Sequence, residues 1–487
     1  MSKLTIWLTP LWVLAVGMII GAAVLFAGWG VCWLVNRRAA RAIAAAVGEG
    51  VLRPISYVLI SVAALALLAT PTMPLRETLS SLQRLPSVGP VDRTITVKPR
   101  ITDEPVAAAF RSTELQEYLI ESEQDIAINV EKGKGYVEPL LMIQGGEPLH
   151  WFPGGPEALA FEGDVETLYI TNESDELTKV TLRFMPDVEM PEVHTIPITA
   201  ASVVVLYVLY FGIRFLFPRA AVIATATAKE TISQPMFVLL TAIGVVALIS
   251  YVFIPYNTFG EDVKMLKASG ITFIKVLAII MALWTASTSV ADEIEGRTAL
   301  TVLSKPVSRR QFVLGKFLGI VWPIVLMFLI LGLVFLLTVS FKVVYDARES
   351  SKTTPEWQEC FVEVSRIIPG LVLAFFESVI LAAISVAVST RLPMLPNLVI
   401  VGSIYVLGHL AALIVKSSAG DNVFVRFVGK LLSVVLPVLD HFEIEGAIAG
   451  ATSVPAAYLW WALLYSTLYC AAAMLLALIF FEDRDLA

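Results

Sequence analysis

The run Leu11-Trp-Val-Leu-Ala-Val-Gly-Met-Ile-Ile-Gly-Ala-Ala-Val-Leu-Phe-Ala-Gly-Trp-Gly-Val-Cys-Trp-Leu-Val35 holds no charged residue, and Asn36-Arg37-Arg38 and Arg41 follow it. About 20 apolar residues suffice to cross ~30 Å of hydrocarbon. A cleavable signal peptide carries its positive charge ahead of a shorter apolar core. Here only Lys3 stands ahead and the arginines lie behind. The run therefore reads as an uncleaved span whose C-terminal end is cytoplasmic, which puts the N-terminus outside.

Eight further runs follow: 51–70, 198–217, 236–254, 271–290, 312–341, 367–390, 395–415 and 456–481. Nine spans starting outside bring the C-terminus to the cytoplasm. Positive charges are evenly divided across the last six spans, so orientation there rests on the first span, on parity and on the motif at 291–316 described below. The whole chain agrees: 57% of its 487 residues are hydrophobic and 16% charged, with a mean hydropathy of +0.77. A soluble protein has about 25% charged residues. A soluble domain, a disordered chain and a disulfide scaffold are excluded. The net charge of −7 carries no nucleic-acid footprint. The reading is a mainly α, multi-pass protein of the cell's inner (plasma) membrane, of bacterial type, with the lipid bilayer as its solvent.

Between the second and third spans the pattern changes. Thr94-Ile-Thr-Val97, Ile126-Ala-Ile-Asn-Val130, Val165-Glu-Thr-Leu-Tyr-Ile170 and Lys179-Val-Thr-Leu-Arg-Phe184 alternate with period two, as half-buried strands do. Asn172–Glu176 reads as a hairpin connection and 113–122 as a short helix, since Thr113 and Gln116 have capping-box spacing. The expected domains are 1–74, two transmembrane helices; 75–197, an extracytoplasmic β-sandwich-like domain; 198–218, the third span; and 219–487, a six-span core. His150 and His194 stand alone and read as surface histidines. Cys360 falls in an outside loop, where an intersubunit bridge is open to it. The short apolar stretch 423–439 fits a re-entrant or interfacial segment, or an amphipathic loop helix.

The most specific local signal is Ala291-Asp-Glu-Ile-Glu-Gly-Arg-Thr-Ala-Leu-Thr-Val-Leu-Ser-Lys-Pro-Val-Ser-Arg-Arg-Gln-Phe-Val-Leu-Gly-Lys316. Asp292 and Glu295 have capping-box spacing and predict a helix start. Ala299, Leu300, Val302 and Leu303 give it an apolar side, and Pro306 ends it. Ser308 and Gln311 repeat the capping spacing and open the next span. A short helix bracketed by charge at the inner face suits docking into a partner's groove, or serves as a plain interfacial connector.

The order Glu295-Gly296, Leu303, Pro306, Ser308-Arg309 and Lys316 resembles the signature of ABC type-2 transporter permeases. Ala226-Thr-Ala-Lys-Glu230 before Pro235 is similar to that family's elbow helix, and 423–445 to its outer re-entrant hairpin. The resemblance covers 219–487. It implies a six-helix permease core whose segment 292–311 couples to an ABC ATPase subunit, with Glu293, Glu295, Gly296, Arg297, Leu303, Pro306 and Arg309 at or beside that contact. Arg309 and Lys316 are expected to anchor the segment at the inner headgroups. No G-x-x-x-x-G-K-[ST] pattern occurs, so no cofactor is expected on this chain; ATP and Mg belong to the partner subunit. Two coupling sites imply a second permease copy, in a homodimer or with a related chain. The extra N-terminal spans and outside domain depart from the common pattern and point to an extracytoplasmic partner protein.

Two ionisable groups stand inside spans. Glu377 and His409 lie at matching distance from the turn near 392–393, about 23–25 Å along their helices. They are expected to face one another, as a substrate or proton path or as interhelical glue. Asp440-His-Phe-Glu-Ile-Glu445 is a solvated entry to the last span rather than a metal site. An intramembrane enzyme is disfavoured, because no catalytic pairing occurs at a recognised spacing. The function reads as that of a permease subunit of an ATP-driven transporter exporting or extracting a hydrophobic substrate. The alternative is an ATPase-driven mechanical device acting through the outside domain.

Overall fold

The computed structural model describes residues 3–153, 155, 158–254, 262–296, 307–416, 427, 436–444, 447 and 454–482. They fall into two compact units, Met1–Thr72 with Ile198–Ala487, and Met73–Pro197.

The smaller unit opens with a helix, α4 (Leu75–Arg84), that the polar sequence did not announce. Eight strands follow: β1 (Val91–Val97), β2 (Ile101–Arg111), β3 (Leu115–Ser122), β4 (Ile126–Asn129), β5 (Leu141–Ile143), β6 (Leu149–Trp151), β7 (Asp164–Asn172) and β8 (Thr178–Pro186). They form two antiparallel four-stranded sheets, ordered β1-β8-β3-β6 and β2-β7-β4-β5. Phe110 of one sheet stacks on Phe184 of the other at 4.7 Å, and Tyr118, Trp151 and Phe161 complete an aromatic centre. The sheets therefore share one core, as in a sandwich.

Two local expectations fail here. Residues 115–122 are a strand, not a helix. Tyr118 and Ile120 are buried at alternating positions, and sheet pairing outweighs the capping spacing. The 173–177 link is not a hairpin either, because β7 and β8 belong to different sheets. Asn172 fixes this crossing: its Nδ2 reaches the carbonyls of Lys98 and Glu176, and its Oδ1 accepts from the Ser174 backbone. Arg84 clamps α4 to the sandwich through two hydrogen bonds to the buried carboxylate of Glu114, at 2.5 and 2.7 Å.

The larger unit is helical. Its described helices are α1 (Lys3–Val35), α2 (Arg37–Glu49), α3 (Leu52–Ala69), α5 (Thr195–Leu216), α6 (Pro218–Ser233), α7 (Pro235–Tyr251), α8 (Asp262–Ala286), α9 (Asp292–Glu295), α10 (Arg309–Glu349), α11 (Trp357–Ser365), α12 (Ile368–Ser389), α13 (Met394–Lys416) and α14 (Ala456–Glu482). Each of the nine apolar runs falls on one of them. Among the described residues, seven helices are long and apolar enough to cross a membrane; the pair α6–α7, bent by 61°, makes an eighth, and 394–410 is a shorter apolar helix. α10 has 41 residues. That is about 60 Å, twice the hydrocarbon thickness.

The core lies where α8, α10 and α12 meet, around Ile274, Ala278, Leu331, Phe335, Leu381 and Ala383. Small residues let helices approach closely. A Cβ on Gly315 would lie 2.8 Å from the Ala220 carbonyl oxygen, and one on Gly319 2.9 Å from that of Ala224. This Gly-x-x-x-Gly stripe seats α6 on α10. Cys360 is fully buried within α11, not in a loop, so it cannot reach another subunit. The stretch 423–439 lies almost wholly outside the described residues.

Candidate functional site

Two polar constellations interrupt this apolar unit. The first begins where α8 widens into a π-turn, Ser287–Ala291, and continues directly as α9. Asp292 and Glu295 thus extend an existing helix rather than open one, and no side chain caps α9. The expected capping box is absent because the π-turn keeps the backbone helical through residue 291. π-Turns inside helices recur at functional sites. Gly296 closes α9 with its backbone N–H on the carbonyls of Asp292 and Ile294.

Lys316 Nζ donates to Glu293 Oε1 at 2.6 Å, and Lys316 is only 4% exposed. At the start of α10 the Ser308–Gln311 capping box is complete. Arg309 donates to the carbonyls of Phe481 and Glu482 at 2.8 and 2.9 Å and lies 5.4 Å above the Phe481 ring. Arg309 therefore caps the end of α14, and Lys316 grips α9. The Arg309 guanidinium and the Lys316 ammonium thus both have partners within the protein. Arg297, Leu303 and Pro306 lie outside the described residues, and Glu295 is placed only as the last residue of α9.

Asn397 ties the π-turn to the rest of the bundle. Its Nδ2 lies 3.0 Å from Ser287 Oγ, 2.8 Å from Ser385 Oγ and 3.0 Å from Ser389 Oγ, all fully or nearly fully buried. One amide thus joins α8, α12 and α13. Beside this end of the bundle runs an apolar groove of about 890 Å³, lined by Gln234, Met236, Leu239, Ala242, Trp284 and Thr288.

The second constellation lies about 18 Å further along α12, by residue count from Ser389 to Glu377. Glu377 is fully buried. Its Oε2 is 3.0 Å from Lys275 Nζ, and its Oε1 is 3.4 Å from His409 Nε2. Glu443 Oε1 is 3.1 Å from His409 Nε2 and 3.7 Å from Lys275 Nζ. Glu377 and His409 are brought together, with two charged neighbours that sequence reasoning did not assign to them. Lys275 sits inside the run 271–290 and was lost in its apolar average. A lysine mid-span was itself the signal, since a charge in hydrocarbon requires a partner. Asn397 carried a similar but weaker mark. Among the described residues, no group of three or more His, Cys, Asp or Glu side chains could hold a metal ion.

Residues 198–486 match the family described as ABC-2 family transporter protein. The chain belongs to the ABC-2 transporter family. The match takes in α5 to α14 and leaves the β-rich unit of this ABC-2 protein outside it. No curated protein matches the chain. Membrane proteins of this family work with an ABC ATPase subunit. The α8–α9 end of this ABC-2 protein and the Arg309 entry to α10 correspond to the positions where the family resemblance placed that contact.

Proposed function

We propose that this ABC-2 protein is the permease subunit of a transporter driven by a separate ATPase, with 292–311 as the element that receives the ATPase stroke. The observation that carries this is the double grip at the start of α10: Lys316 on Glu293 and Arg309 on the end of α14. A push on α9 reaches α10 through one and α14 through the other, and reaches α12 and α13 through Asn397. Packed elements of this kind respond by discrete shifts rather than by yielding. A second permease copy completes the assembly, because a dimeric ATPase presents two docking sites. The substrate is hydrophobic and exported or extracted; the apolar groove beside Trp284 supports that class.

The test is purification of the tagged full-length chain with its ATPase. Glu295→Arg is expected to weaken that association while the chain still folds. Association unchanged by this variant and by Glu293→Arg would sink the assignment of 292–311. The β-rich unit supports the second reading, a device that works mechanically on an extracytoplasmic partner. Deleting 91–196 separates the two. A transporter keeps ATPase coupling and substrate movement, whereas a mechanical device loses its biological effect.

A further inference from the structure

The hydrogen-bonding around His409 leaves one proton unaccounted for. His409 Nδ1 lies 2.9 Å from the carbonyl oxygen of Tyr405. A carbonyl only accepts, so Nδ1 carries the hydrogen. In a neutral imidazole the other nitrogen, Nε2, is then a bare acceptor. It faces Glu443 Oε1 at 3.1 Å and Glu377 Oε1 at 3.4 Å. Three acceptors would converge there with no hydrogen among them. Lys275 does not resolve this: its Nζ sits on the other carboxylate oxygen, Glu377 Oε2, at 3.0 Å, and at 3.7 Å from Glu443 Oε1 it is beyond hydrogen-bond length.

Charge counting gives the same answer. With His409 neutral, Lys275, Glu377 and Glu443 sum to one negative charge around a fully buried carboxylate. One added proton makes the group neutral. Lys275 pairs with Glu377, so the surplus falls on Glu443, and a proton on His409 relieves the repulsion between the two carboxylates. Beside the group a cavity of about 20 Å³, lined by Thr272, Lys275, Gly370, Phe442 and Glu443, has room for one water. Glu443 itself is 38% exposed. A proton therefore has a path in from solvent.

We infer that His409, Glu377 and Glu443 form a binding site for a single proton, and that the bound proton fastens the segment 436–444 onto the helices. Four elements meet there: Lys275 comes from α8, Glu377 from α12, His409 and Tyr405 from α13, and Glu443 from the segment. These are the charged and titratable groups facing His409 among the described residues. The segment is already seated closely on α13. A Cβ on Gly408 would lie 2.9 Å from the Pro437 carbonyl oxygen. It is also tied to α14, through Val438 N–H on Tyr465 Oη at 3.0 Å and Tyr458 Oη on the His441 carbonyl at 2.5 Å. Losing the proton leaves Glu443 repelled by Glu377 and facing a bare nitrogen, so the segment loosens as pH rises. The inference does not depend on the ATPase reading.

The test is amide hydrogen exchange of 436–444 in the purified full-length protein, at a series of pH values and corrected for intrinsic exchange. In the wild type, protection of Val438 and Glu443 should fall by about tenfold or more from the low-pH to the high-pH end of the series. His409→Phe should exchange at every pH as quickly as the wild type does at high pH. Glu443→Gln removes the surplus negative charge and should stay protected across the series. His441→Gln should behave as the wild type. Nitrogen-15 histidine spectra of the full-length protein add an independent readout, with Nε2 of one histidine gaining its proton over the same pH steps that restore protection. A wild type with pH-independent protection, or a pH response that survives His409→Phe, would overturn the inference.

Discussion

Glu293 and Lys316 are joined at 2.6 Å across two helices that are separated in sequence by the whole signature segment. The lysine is almost completely buried and the glutamate about a quarter exposed. The pair holds the two ends of that segment together from within the protein. It also explains why a lysine about two turns inside a membrane helix is tolerated: its charge meets a carboxylate rather than lipid.

Lys316→Met is expected to lower the stability of the full-length protein by roughly 2 kcal/mol. That is less than the 3–5 kcal/mol for breaking a fully buried pair, because Glu293 keeps some contact with water. The thermal midpoint in detergent checks this. Adding Glu293→Gln to Lys316→Met should recover part of the loss, since no carboxylate then lacks its cation.

Asn397→Leu removes the amide that three serine hydroxyls share. Stranding buried polar groups costs about 1–3 kcal/mol each. The variant should fall in thermal midpoint and show faster amide exchange around Ser287–Ala291. Normal exchange at the π-turn would show that Asn397 does not hold it.

Gly319→Val places a branched side chain against Thr227 Cβ at 2.6 Å and the Ala224 carbonyl at 2.9 Å. Backbone cannot step aside as a flexible side chain can, and overpacking costs about 1–3 kcal/mol. We expect α6 to separate from α10, seen as faster exchange or proteolysis at 218–233. A tolerated valine would show that the stripe is not a close helix contact.

In the β-rich unit, Arg84→Ala leaves the Glu114 carboxylate, 5% exposed, without its two-pronged partner. A loss of about 3–5 kcal/mol is expected. Urea unfolding of a 73–197 fragment measures it, with Phe184→Ala as a core reference of about 3–5 kcal/mol. An Arg84→Ala effect under 1 kcal/mol would mean that α4 is not pinned through this pair.

Much of this architecture was legible because hydrocarbon imposes one strong rule, and each apolar run meets it with a helix. The strands from Val165 to Phe184 were legible for the same reason of period, but their partners were not. Alternation says which face is buried, not which sheet a strand joins, so β7 and β8 read as a hairpin. Capping spacing marked Ser308–Gln311 correctly and misread Asp292–Glu295, where a preceding π-turn already supplies the helix. At the polar sites, Glu377 and His409 stood out as charges in apolar spans. Lys275 equally qualified, and Glu443 could be joined to them only by the fold of a segment distant in sequence.

The role proposed for this chain is to pass on work done by another subunit. Its most direct test is to isolate the full-length protein from its native membrane and measure ATP hydrolysis by what comes with it. An ATP-binding subunit in comparable amount is expected, with hydrolysis that falls when Glu295→Arg weakens the contact. An isolated assembly with no nucleotide-binding subunit and no ATP hydrolysis would contradict it.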